Sequence, residues 1–260
     1  MSRTYEQARR MNAPRAIALC QCFSGALEFQ AGHWREAEAA LRESIRLHRD
    51  IGAASGEALA CQRLGVLLTE RGQLEEGLAV LDDGVIAAER ALLRAHCLAR
   101  LYAALARNRL AANDAPAANQ ALELGLEMSE RHGHCATCDA LLLPAAVSVR
   151  VRQGAYAAAE EFYRRLELAS QKYASRVWVA MALQSRAELA AARGQLDQAI
   201  QDYRQAYENF TAAGNALESA RCLTALNALR HKRRAAGDVA AARAEQSQAQ
   251  AIYARLDIFR

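Results

Sequence analysis

The sequence predicts an all-α solenoid of antiparallel helix pairs, about six repeats long, with residues 1–260 forming a single domain. Three observations carry that expectation. A small residue falls five positions after a short polar or glycine turn at Ala37, Gly77, Ala118, Ala159, Ala199 and Ala242, a spacing of 40 to 43 residues. A fixed period of that length is the mark of a supersecondary unit that buries its apolar face only by stacking on copies of itself. Nine positions after the turn comes a large side chain, Leu41, Leu81, Leu122, Tyr163 or Tyr203. The composition is rich in Ala, Leu, Arg, Glu and Gln with 3 prolines and 6% aromatic residues, which favours helices joined by short turns and gives strands no support.

Residues 1–12, with TyrGluGlnAlaArgArgMet from Tyr5, read as a partial helix of a preceding unit, as in a fragment cut from a longer array. The repeats follow near 13–52, 53–90, 91–133, 134–172, 173–213 and 214–260, each helix A, turn, helix B. The turn residues are Gly32, Gly72, Asn113, Gly154, Gly194 and Gly237, where a left-handed backbone ends helix A. Seven positions before the turn stand Gly25, Gly65, Ala106, Val147 and Ala187, and twelve after it Ser44, Gly84, Gly125, Ala206 and Ala249. Small residues at these points let two helices approach while the large one fills the space beyond. Arg230 and Leu166 break the pattern. At the end of the chain Ile252, Leu256, Ile258 and Phe259 have no following repeat to cover them and are expected to be exposed, for another domain, a dimer contact or a truncated neighbour.

GlyHisTrpArgGluAla from Gly32, GlyGlnLeuGluGluGly from Gly72 and GlyGlnLeuAspGlnAla from Gly194 show the repeat most clearly. At these residues the chain resembles the tetratricopeptide-repeat (TPR) family, from Ala13 onward. Its longer period is similar to the extended repeats in the C-terminal regions of large bacterial transcription regulators. The resemblance implies a right-handed superhelix whose A helices line a concave groove. The family's groove positions fall here on Gln62, Glu70, Arg100, Arg107, Arg152, Gln184, Glu188, Asn227, His231 and Arg234. Such a polar, mildly basic set holds a peptide through its backbone or its carboxylates, although the same residues also serve as a solvated helix face.

The formal charge is +4, from 33 basic and 29 acidic residues, a weak pull on anionic partners. HisLysArgArg from His231 stands without a helix-turn-helix, zinc finger or stacking motif, which argues against nucleic acid. Seven scattered cysteines make a poor disulfide framework and point to a reducing compartment, the cytoplasm. No apolar run reaches bilayer length, so no membrane is expected.

One repeat is unlike the rest. HisGlyHisCysAlaThrCys from His132 puts His134, Cys135 and Cys138 within one helical turn, and Cys97, with His96 beside it, occupies on the preceding A helix the place of Cys138 on its own. Imidazole and thiolate are ligands for zinc or another thiolate-bound metal, so His134, Cys135, Cys138 and Cys97 are the candidate ligands, with Trp178 placed to shield them. The alternatives are a redox-switched Cys135–Cys138 pair and cysteines acting as small apolar filler. Pro144, inside the same helix A, is expected to kink or end it and to bend the solenoid there. The leading function is a non-enzymatic interaction scaffold that binds a protein or peptide, and homo-oligomers are compatible with it. A metal- or redox-responsive sensor comes second. A small-molecule enzyme comes last, for no Ser, His and Asp set and no phosphate-cradling glycine loop is present.

Overall fold

A computed structural model describes residues 2–256 and 258. Among them are thirteen α-helices and no strand. A short helix, α1 (Ser2–Arg10), precedes six helix pairs: α2 (Pro14–Ala31) with α3 (Trp34–Asp50), α4 (Ala54–Glu70) with α5 (Leu74–Glu89), and α6 (Arg94–Ala111) with α7 (Ala115–Arg131). Then come α8 (Ala136–Arg152) with α9 (Tyr156–Tyr173), α10 (Arg176–Ala192) with α11 (Leu196–Ala212), and α12 (Ala216–Arg233) with α13 (Asp238–Arg255). Within each pair the chain reverses at a residue in the left-handed region, from φ +57° at Asn113 to +89° at Gly32. This opens a turn tight enough to lay helix B back on helix A.

The pairs close through the small residues. Ala37, Ala118, Ala159, Ala199 and Ala242 are fully buried, as are the large residues Leu41, Leu81 and Leu122. At α4 and α5 the approach is backbone to backbone. A Cβ on Gly77 would stand 3.2 Å from the Gly65 carbonyl, and one on Gly65 would overlap Leu81. Arg230 takes the small-residue place in the last pair and is itself buried. There α13 carries Gln246 rather than a large apolar residue nine positions past the turn. The guanidinium reaches Glu245 at 2.8 Å and Asp238 at 3.1 Å instead, a paired charge replacing apolar contact.

The chain divides into two compact units, Met1–Phe29 with His33–Leu142, and Gln30–Gly32 with Leu143–Arg260. The first is built on Cys22, Leu41, Leu64 and Leu67 where α2, α3 and α4 meet, and repeats that packing through α7. In the second, Val147, Ala159, Tyr163 and Leu189 join α8, α9 and α10, and Ala180, Phe210 and Cys222 join α10, α11 and α12. Among the described residues no helix is long and apolar enough to cross a membrane.

Two expectations need correction. Pro144 does not end its helix, because α8 runs on through it to Arg152. Leu142, Leu143, Ala145, Ala146 and Val147 around it are all buried, and that apolar burial outweighs the roughly 3 kcal/mol a proline costs inside a helix. The apolar residues of the last helix and beyond it are also less exposed than expected. Leu256 and Ile258 are buried, and Leu256 lies so close to Gly32 of the same unit that no Cβ fits there. Phe259 lies outside the described residues.

Candidate functional site

The site lies in the first unit, where α7 hands over to α8. After Arg131 the chain turns through two consecutive left-handed residues, Gly133 at φ +80° and His134 at φ +53°. The His134 N–H donates to the Ser129 carbonyl at 2.9 Å. Cys135 then stands immediately before the first turn of α8. Its carbonyl accepts from the Asp139 N–H at 3.0 Å, and its sulfur accepts from the Cys138 N–H at 3.4 Å. Elsewhere the N-cap side chain makes this same three-residue bond: Asp114 accepts from Ala117, Ser175 from Trp178 and Asn215 from Glu218. Cys135 therefore occupies an N-cap position with a thiol, facing the unpaired N–H groups and the positive end of the helix dipole.

From α6, His96 reaches over this thiol pair. Its Nδ1 lies 3.2 Å from the Cys138 sulfur and 3.5 Å from the Cys135 sulfur, and the two sulfurs are 3.1 Å apart. The Thr137 hydroxyl stands 3.4 Å from the Cys135 sulfur. The His132 ring tilts against His96, with centroids 4.8 Å apart. Burial raises the Cys135 thiol, but its bonds from the Thr137 hydroxyl, the Cys138 thiol and the backbone N–H groups hold it below the ordinary thiol range. Cys138 moves the other way, raised by burial and by its contact with Cys135 against the pull of Arg100. Burial lowers His96, helped by Arg100 and His132.

The remaining cysteines are of a different kind. Cys22, Cys61 and Cys222 are fully buried, and burial raises each thiol, that of Cys61 to about 12. These are packing cysteines.

A slot opens beside the thiols, between α2, α4 and α6, with a volume of about 230 Å³. Leu19, Leu59 and Leu93 are among its apolar lining, and Gln62, Cys97 and Arg100 among its polar lining. His96 borders the slot as well as touching the sulfurs. Arg100 Nε is buried with no hydrogen-bond partner. Burial lowers the guanidinium, and so does repulsion from Arg63, which is committed to the Cys22 carbonyl at 3.0 Å and to the Phe23 ring. An anion would relieve both effects.

The candidate ligand set is thus redrawn. Cys135 and Cys138 meet, but the residue from α6 that joins them is His96, not Cys97. Neighbours on a helix point about 100° apart, and Cys97 turns into the slot. His134 is not in the cluster, since it precedes α8 in a left-handed turn rather than lying on the helix face. Trp178 packs edge-on against Tyr173.

Of the groove residues, Gln62 and Arg100 line the slot. Arg107 pairs with Glu70 at 3.2 Å. In the second unit Gln184 donates to Glu218 at 3.0 Å, Asn227 to the Ala242 carbonyl at 2.8 Å, and Glu188 accepts from the Ser148 hydroxyl at 2.7 Å. Arg152, His231 and Arg234 are exposed. Register pointed to Cys97 with His96 beside it, and of the two it is His96 that reaches the sulfurs.

No protein-family model matches this chain, and neither does any curated protein sequence. Among solved structures it is similar to the crystal structure of BtubC (BKLC) from P. vanneervenii, with a TM-score of 0.54 and 20% identity, covering 90% of this chain and 94% of that one. At that identity the likeness is one of fold. A looser match is the TPR2AB-domain:pHSP90 complex of yeast Sti1, with a TM-score of 0.37 and 18% identity, covering 93% of this chain and 99% of that one.

Proposed function

We propose that the chain is a non-enzymatic interaction scaffold that holds an extended peptide segment against the A helices of its first unit, with a carboxylate of that segment on Arg100. The observation that carries this reading is the buried, unpartnered Nε of Arg100, a residue that lines the slot. A guanidinium Nε–H left unpaired among α2, α4 and α6 costs stability, and a bidentate carboxylate is the ligand the planar fork fits best. The apolar lining of Leu19, Leu59 and Leu93 then takes a neighbouring apolar side chain of the peptide. Gln62 supplies an amide that can pair with its backbone.

The same reading extends to the setting, in which long TPR-like repeats act as the partner-binding part of a bacterial regulator. The free thiols of all seven cysteines fit the reducing cytoplasm. The test is fluorescence anisotropy with a panel of labelled peptides that carry a free C-terminal carboxylate, each matched with its C-terminal amide. Binding by the carboxylate forms that is lost on amidation and lost in Arg100→Met supports the reading. Equal binding of acid and amide forms, or unchanged binding by Arg100→Met, removes the slot from it.

A further inference from the structure

We propose that His96, Cys135 and Cys138 form a site for a zinc-class divalent cation, with three protein ligands and an open fourth position. The inference does not depend on the peptide slot. It stands on geometry first. The Nδ1 and the two Sγ atoms lie 3.1, 3.2 and 3.5 Å from one another, and among the described residues they are the one group of three metal-capable side chains drawn together. Around a tetrahedral zinc with bonds of about 2.3 Å to sulfur and 2.0–2.1 Å to nitrogen, the ligand–ligand edges run roughly 3.5–3.8 Å. The observed triangle is that face slightly contracted. Small rotations of two cysteine side chains and one imidazole admit the ion.

The donor set also selects the ion. Two thiolates and an imidazole are soft to borderline ligands, which suit zinc and reject magnesium and calcium, and no carboxylate joins the group. Two thiolates and a dication sum to zero charge. That matters here, because Arg100 lies close enough to act electrostatically on both thiols and opposes any uncompensated cation. The outer contacts needed to aim the ligands are also present, with the Thr137 hydroxyl and the Cys138 N–H both on the Cys135 sulfur.

The ligands come from two successive A-helix regions, α6 and the start of α8, so an ion there ties one repeat to the next. Simple packing does not explain the arrangement. A packing cysteine needs no imidazole at 3.2 Å.

The experiment uses the full chain, reduced and freed of metal, titrated with zinc against a chromophoric chelator and separately with cobalt(II). The expected result is about one equivalent per chain, with thiolate-to-cobalt charge transfer and the intense visible bands of a tetrahedral ion. His96→Ala, Cys135→Ser and Cys138→Ser should each weaken binding more than roughly tenfold, and Cys97→Ser and His134→Ala should leave it unchanged. Circular dichroism identifies any variant that fails to fold. The half-buried His96 and Cys135 keep the test decisive if the buried Cys138 does not tolerate serine. No stoichiometric zinc in the reduced protein overturns the proposal. So does binding that survives His96→Ala, or that is lost equally in Cys97→Ser. A reduced chain that takes no zinc but closes a Cys135–Cys138 disulfide in air also overturns it, in favour of a redox pair.

Discussion

Arg100→Met should make the protein more stable while abolishing peptide binding, and the combination is what separates a binding residue from a structural one. In the wild-type chain the Nε–H is buried with no acceptor, and the guanidinium is disfavoured by burial and by Arg63. An unmet buried donor costs about 1–3 kcal/mol. Methionine keeps an unbranched stem of similar length and has nearly the same helix propensity, so contacts along α6 with the slot wall survive. Relief of the donor, less some packing lost at the tip, leaves a net gain of about 1 kcal/mol, or about 2–4 °C in Tm for a chain of this size. The assay is urea unfolding followed by circular dichroism at neutral pH, alongside the anisotropy measurement. An unfolding free energy that falls by more than about 1 kcal/mol would show that Arg100 makes a stabilising internal contact instead of an unmet Nε–H.

Two further outcomes follow from the packing of the first unit. His48 is buried with neither ring nitrogen bonded, and its pKa lies below the ordinary 6.5 through burial and through Arg15 on α2, opposed by Glu57 on α4. The unfolded chain therefore binds a proton there that the folded chain resists, and stability falls as pH drops below 6.5. His48 contributes at most about 1.4 kcal/mol of loss between pH 7.5 and 5.5, and His48→Phe should remove that share of the slope in urea midpoints. Gly65→Ala gains about 0.5–1 kcal/mol of helix propensity but forces a methyl into Leu81 and 3.2 Å from the Gly77 carbonyl, an overpacking cost of about 1–3 kcal/mol. It should be net destabilising, and a double-mutant cycle with Leu81→Ala should show coupling of about 1 kcal/mol. Additivity would mean that the two helices do not meet there.

The fold was legible because the repeat encodes it at the backbone level. A glycine or asparagine that must adopt positive φ, and a small residue that must let a helix pass, leave few substitutes, so Gly72, Gly77 and Ala118 announce the turn and the contact together. The site was legible only to the nearest residue. Register places Cα atoms, so it brought α6 and the start of α8 together correctly in choosing a residue near position 97. It does not say which side chain of two neighbours points across. That depends on where α8 begins, and the left-handed pair Gly133–His134 starts it one residue past Cys135 rather than at His134. For a related reason Pro144 does not break α8. Its local cost is real, but five buried neighbours on a shared helix outweigh it.

The two sites share a border at His96 and Arg100, yet charge balance says they act separately. Zinc held by two thiolates adds no net charge opposite Arg100, so a peptide carboxylate meets the same cation whether or not the metal is bound. Removing Arg100 in turn removes no zinc ligand. Arg100→Met should accordingly keep about one zinc per chain, and Cys138→Ser should keep the affinity for carboxylate peptides within about twofold, because linkage requires any coupling to appear equally from both sides. Anisotropy in the presence and absence of zinc measures it directly. A change of tenfold or more would mean that the ion moves α6 relative to α8 within the first unit. The open coordination position and the slot would then have to be read as one ligand-responsive device.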